Sequence, residues 1–282
     1  MSMSSENNKK NDKNKPIGVF DSGVGGLTVF RELINELPRE RLIYFGDTAR
    51  VPYGSKSKET VTKYSEQIVR FLMEQNVKAI VVACNTASAM ALDTIEKEID
   101  IPIIGVVKPG AHTAIAVTGV KRIGVIGTEA TISSEMYSEY IRSIDSSIEV
   151  IGKSCPLFCP LVEEGLWEDP VTEEITRRYL IELVDTGIDT LILGCTHYPL
   201  IKRTIQRVVG EDITLVNPAY ETAVECRRML KEKGLLNEEP IHISENAFTF
   251  YVSDEAEKFR RFANSILPMG ILGAKKIDIE RY

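Results

Sequence analysis

Two hydrophobic periods alternate along this chain. Short apolar runs rich in Val, Ile and Phe occupy residues 16–20, 42–46, 79–83, 101–107, 122–127, 149–153, 190–194, 213–216 and 247–252. Runs that stay apolar at successive positions predict parallel strands buried on both faces. Between them, apolar residues recur three and four apart over 27–36, 59–75, 134–143, 172–185, 222–232 and 255–265, the spacing of amphipathic helices. Strand and helix take turns almost throughout, so the fold class is α/β, with parallel sheets covered by helices on both faces.

The order of elements also repeats. Ile17-Gly18-Val19-Phe20 is echoed by Ile123-Gly124-Val125-Ile126, the segment ending at Cys84 by the one ending at Cys195, and Pro109-Gly110-Ala111 by Pro218-Ala219-Tyr220. The offsets are 106, 111 and 109 residues. Three echoes in one order predict an internal duplication, giving two similar, pseudo-symmetric α/β domains that face each other. Ligands of such sheets bind beyond the carboxyl ends of the strands, so the active site is expected in the cleft between the halves.

Composition narrows the setting. The 282 residues are 43% hydrophobic and 27% charged, as in ordinary globular proteins. A net charge of −7 argues against nucleic acid or an anionic membrane as partner. Residues 1–15 are rich in Lys, Asn and Ser and predict a disordered tail without a signal peptide. No apolar run reaches spanning length, and five cysteines without regular spacing predict free thiols in a cytoplasmic protein.

The candidate chemistry lies at strand ends. Cys84 and Cys195 each close an apolar run where a helix is expected to begin, and a helix N-terminus favours thiolate. Asn85-Thr86 and Thr196-His197 follow them with groups able to grip a carboxylate. Cys155, Cys159 and Cys226 are expected to be buried and inert. His112, His197 and His242 make no usual zinc spacing with the cysteines, and no Cys-x-x-Cys occurs, so neither a metal nor a dithiol function is expected. The turn Asp21-Ser22-Gly23-Val24-Gly25-Gly26 lacks the Gly-Lys-Ser/Thr of a phosphate loop. Asp21 suits both a polar group at the cleft and an N-cap for the helix that follows. His197 is placed to pair with Cys195 or Glu163, and Tyr53-Gly54 marks only a turn.

Asp21 to Leu27, Pro52-Tyr53-Gly54, Ala83-Cys84-Asn85-Thr86-Ala87-Ser88 and Gly194-Cys195-Thr196-His197-Tyr198-Pro199, in this order, resemble bacterial glutamate racemase across about residues 16–265. Aspartate and hydantoin racemases share the two-cysteine plan. The resemblance implies a cofactor-independent enzyme that interconverts L- and D-glutamate and supplies D-glutamate for peptidoglycan. Cys84 would act on D-glutamate and Cys195 on L-glutamate, with Asp21 assisting the first, and His197 and Glu163 the second. Ser22, Tyr53, Gly54, Asn85, Thr86, Thr196 and His197, with Asp21, would hold the substrate. It further implies a homodimer and interleaved domains, 16–108 with 218–282 and 109–217. Asn217 departs from the acidic residue common at its position. The rival expectations are an aspartate or hydantoin racemase, and a non-catalytic amino-acid-binding or interaction protein.

Overall fold

Ten strands form two all-parallel sheets in a computed structural model that describes residues 12–239 and 247–282. They are β1 Ile17–Asp21, β2 Leu42–Gly46, β3 Ala79–Val82, β4 Ile103–Gly105, β5 Arg122–Gly127, β6 Glu149–Ser154, β7 Thr190–Gly194, β8 Thr214–Val216, β9 Phe248–Val252 and β10 Lys275–Lys276. The first sheet runs β10-β9-β2-β1-β3-β4 and the second β6-β5-β7-β8. The order β2-β1-β3-β4 is therefore repeated as β6-β5-β7-β8, which is the duplication expected from the sequence. Ile17 pairs with Ala79 in one sheet as Ile123 pairs with Thr190 in the other.

Both faces of each sheet are buried, which is why the strands lack polar alternation. Along β3, Ala79 and Val81 enter one apolar cluster, while Ile80 and Val82 enter the cluster on the opposite face. The second sheet divides likewise: Leu191 and Leu193 face one side, Ile192 the other. In each sheet the connections leave the first strand, β1 or β5, in opposite directions. The crevice beside that strand's carboxyl end is thus a topological switch point.

The chain crosses between the sheets twice. Val106 packs with the core of the first sheet and Val107 with the second, then Val216 with the second and Ala219 with the first. The helices Val107–Val117 and Pro218–Glu232, just past these crossings, pack on each other where Gly110 meets Pro218. The apolar run over 101–107 predicts a strand of that length. The strand ends at Gly105, and Pro109 sits in the first turn of a helix, where a missing N–H costs no internal bond. Strand β10 is two lysines at a sheet edge, too short and polar to announce itself. Of the expected tail, residues 1–11 lie outside the described residues. Residues 12–15 are described: Lys15 pairs with Asp12, and the Lys13 carbonyl accepts from Lys78 Nζ.

Candidate active site

Both switch points deliver a thiol. Cys84 follows β3 and is the N-cap of the helix Asn85–Met90, its Sγ accepting from the Ala87 N–H at 3.4 Å. Its own S–H reaches Ser22 Oγ at 3.5 Å. Cys195 follows β7, but a single 3-10 turn, Tyr198–Ile201, intervenes before the helix Lys202–Val209. The expected helix N-terminus is therefore present at Cys84 and absent at Cys195.

The two centres meet through the residues around them. Asp21, at the end of β1 and fully buried, accepts from the Gly23 N–H at 2.9 Å and from Thr196 Oγ1 at 3.4 Å. Asp21 thus braces the glycine turn, while Gly26 holds the N-cap position of the next helix. Thr28 Oγ1 donates to the Thr196 carbonyl at 2.8 Å. Thr86 Oγ1 shares hydrogen bonds with Thr128 and Thr131 Oγ1 at 3.0 and 3.1 Å, and Tyr137 donates to Asn85 Oδ1 at 2.7 Å. Asn85 and Cys195, with Val106, Asn217 and Pro218, line one small space. At the mouth, Gly54 lies so close to Thr128 that a Cβ there would stand 2.6 Å from the Thr128 Cβ.

Tyr53 is the exception among the expected substrate contacts. Its hydroxyl donates to Asp47 Oδ2, and its ring packs against Tyr64 inside the first sheet's core. Its side chain is thus committed to the core, and the part of Tyr53 free to face a substrate is its backbone, beside Gly54.

Around Cys195 the polar groups form a chain. Cys195 Sγ lies 3.8 Å from His197 Nδ1, and His197 Nε2 lies 3.1 Å from Glu163 Oε1. Glu163 is also 3.6 Å from Lys258 Nζ. Cys159, expected to be inert, lies with its sulfur 3.5 Å from Cys195 Sγ. It sits on the helix Phe158–Glu163, which no periodicity announced and which also carries Glu163. Cys155 and Cys226 are buried in the cores, as expected.

The thiols are closed off from solvent, at 5% exposure for Cys84 and 7% for Cys195. Burial, reinforced by the Asp21 carboxylate, pushes Cys84 up to about 12, outweighing the Ala87 N–H. The hydrogen bond with Cys159, then burial, holds Cys195 well above an ordinary thiol, against the pull of His197. The lowering expected from a helix end is present at Cys84 but outweighed by burial, and at Cys195 no helix begins to supply it. Burial alone would lower His197, but its bonds to Cys195 and Glu163 prevail and raise it to about 10. The same bond from His197 holds Glu163 below its ordinary range. Burial raises Asp21, opposed by His197. One thiol therefore faces a carboxylate, and the other an imidazolium–carboxylate pair.

A cleft of about 380 Å³ approaches the Cys195 side, between Pro52, Gly54 and Thr128 on one wall and Cys159, Pro160 and Glu163 on the other. Two larger clefts are about 560 Å³ each: one lies beside His112 and Arg228, and the other, lined by Val24, Trp167 and Lys258, reaches Glu163 from its far side. Size alone would have drawn attention from the thiols.

Tyr137 was not anticipated at the site, because one tyrosine on an amphipathic helix carries no signal of a partner in the other half. Replacing it by phenylalanine leaves Asn85 Oδ1 without its buried donor. Tyr137→Phe is expected to lower unfolding stability by about 1–3 kcal/mol. Urea denaturation followed by circular dichroism measures this, and an unchanged midpoint would show that the bond contributes nothing.

The Asp/Glu/hydantoin racemase family matches residues 17–226. A glutamate racemase from Geobacter metallireducens is 51% identical over 253 residues, covering 90% of this chain and 93% of the relative. Among solved structures, a glutamate racemase isoform from Bacillus anthracis superposes with a TM-score of 0.89 at 40% identity, covering 94% of this chain and 98% of its own. The glutamate racemase of Francisella tularensis, solved with D-glutamate, gives 0.88 at 39% identity over 96% of this chain and all of the other.

Proposed function

The chain belongs to the Asp/Glu/hydantoin racemase family, and on that footing we propose that it interconverts L- and D-glutamate with Cys84 and Cys195 as paired acid and base. One observation carries the mechanism. Equivalent switch points of two like sheets each hold a buried thiol, and Ser22, Asp21 and Thr196 link one centre to the other. A racemase needs a proton acceptor on one face of Cα and a donor on the opposite face, with roles reversed in the other direction. From D-glutamate, Cys84 takes the α-proton and Cys195 returns one to the far face; from L-glutamate the order reverses.

Thiols raised by burial stay protonated, so the thiolate base has to be formed as substrate binds. The α-ammonium brings positive charge to the Cys84 side, where Asp21 is the receiving group. On the other side the His197 imidazolium, held by Glu163, favours the Cys195 thiolate. The backbone and side chains of Ser22, Gly54, Asn85, Thr86 and Thr196 hold the carboxylates, exchanging the bonds they make to one another for bonds to substrate. The Cα–H is so weakly acidic that fixed donors and the exclusion of water must stabilise the carbanion-like state. Near-complete burial of both thiols supports this.

The units 16–108 with 218–282 and 109–217 are the domains of this reading. D-glutamate for peptidoglycan is the product's use. The protein works in the cytoplasm as a homodimer; among the described residues no helix is long and apolar enough to cross a membrane.

The test is incubation of the protein with L-glutamate, then with D-glutamate, in D₂O without added cofactor. Optical rotation should decay to zero from either side, and the product should carry one deuterium at Cα. Absence of racemisation from both enantiomers sinks the proposal. Turnover of aspartate or a hydantoin alone transfers the mechanism to a different substrate.

A further inference from the structure

Cys159 takes no part in the proton transfers, yet its sulfur lies 3.5 Å from that of Cys195. His197 Nδ1 lies 3.8 Å from the same Cys195 sulfur, and the three donor atoms all fall within 4.8 Å of one another. A tetrahedral zinc ion, with bonds of about 2.3 Å to sulfur and about 2.0 Å to nitrogen, sets neighbouring donors roughly 3.5–3.8 Å apart. We propose that Cys159, Cys195 and His197 form a binding site for a thiophilic divalent cation such as Zn²⁺ or Cd²⁺, whose occupancy stops turnover by engaging the Cys195 sulfur.

Three further features fit a built site. The bond between His197 Nε2 and Glu163 orients the ring so that Nδ1 faces the sulfurs. A carboxylate behind a ligating histidine is the usual outer-shell arrangement. The cleft of about 380 Å³ is lined by both Cys159 and Glu163, which gives the ion a path. Two sulfurs and one imidazole nitrogen are a soft donor set that selects against Mg²⁺ and Ca²⁺. No linear spacing announces the group, because Cys159 comes from a short helix and Cys195 and His197 from the end of β7.

Binding displaces the two thiol protons and the Nδ1 proton of the His197 imidazolium to solvent, and leaves one coordination position for water; no electrons are transferred. The site itself stands on the three donor atoms. Only its effect on turnover rests on Cys195 being a working acid and base.

The test separates these. Cd²⁺ is titrated into the protein under argon with a non-thiol reductant, and thiolate-to-Cd²⁺ charge-transfer absorption is followed in the ultraviolet. The wild-type protein is expected to saturate at one ion per chain. Loss of an outer-shell partner typically costs 10–100-fold in metal affinity, so loss of a ligand in Cys159→Val is expected to cost at least about 100-fold. Measured against its own metal-free rate, Cys159→Val should keep its activity at Zn²⁺ concentrations that silence the wild type. Cys159→Ser provides the same comparison should the valine variant fold poorly. Equal Cd²⁺ absorption in wild type and both variants overturns the site. Saturation without loss of activity overturns the inhibition. Loss of activity that occurs in air with or without Zn²⁺ and is reversed by reductant would mark oxidation of the Cys159–Cys195 pair by dioxygen instead, and would also overturn it.

Discussion

Cys84→Ala and Cys195→Ala are each expected to abolish racemisation in both directions, with kcat falling by roughly 10²–10⁴-fold or more. The loss is bidirectional because every turnover needs one thiol to remove a proton and the other to supply one. Residual exchange should be one-sided. With Cys84 removed, Cys195 can still take and return the α-proton of L-glutamate, so deuterium from D₂O should enter L-glutamate alone. With Cys195 removed, it should enter D-glutamate alone. Proton NMR of the α-position reads this directly. Near-wild-type turnover in either variant, or deuterium entering both enantiomers of one variant, defeats the two-thiol mechanism.

Gly25→Ala is expected to disable the enzyme without touching a thiol. A Cβ at Gly25 would stand 2.3 Å from Thr196 Oγ1 and 2.5 Å from His197 Nδ1. Neither neighbour yields freely. His197 is held between Cys195 and Glu163, and the Thr196 backbone accepts from Thr28. The methyl group has to displace the Cys195 side from the Cys84 side. A misplacement of about 1 Å at a reacting centre costs about 10²-fold in rate, so kcat/KM should fall at least that far for both enantiomers. Overpacking of this kind costs about 1–3 kcal/mol, leaving a folded protein. Steady-state kinetics beside a thermal melt separates the effects. Wild-type kcat/KM with a lowered melting temperature would show that the contact matters for packing only.

The strands were legible because burial on both faces leaves unbroken apolar runs, and the duplication because each half repeats the same strand order. Cys84 and Cys195 were legible for a related reason: a polar residue closing an apolar run marks the carboxyl end of a strand. Contacts between elements were not. Cys159 meets Cys195 across 36 residues of sequence, and Tyr137 meets Asn85 across 52; no periodicity links either pair. The Tyr53 hydroxyl turned out to serve Asp47 because a side chain's direction out of a loop depends on its packing. The ionisation of the thiols was misjudged for a similar reason. A helix end can be read from sequence, whereas the depth of burial that outweighs it at Cys84 cannot.

The double crossing of the chain has a mechanical consequence. Two adjacent covalent connections, at Val106–Val107 and Val216–Ala219, let one half swing about the line joining them but resist twisting and sliding. Val106, Asn217 and Pro218 border the same small space as Cys195, so this axis passes close to the reacting centre. The residues at the two crossings are thus part of the lining around Cys195, so a substitution at Val106 or Pro218 acts on the site as well as on the joint between the halves.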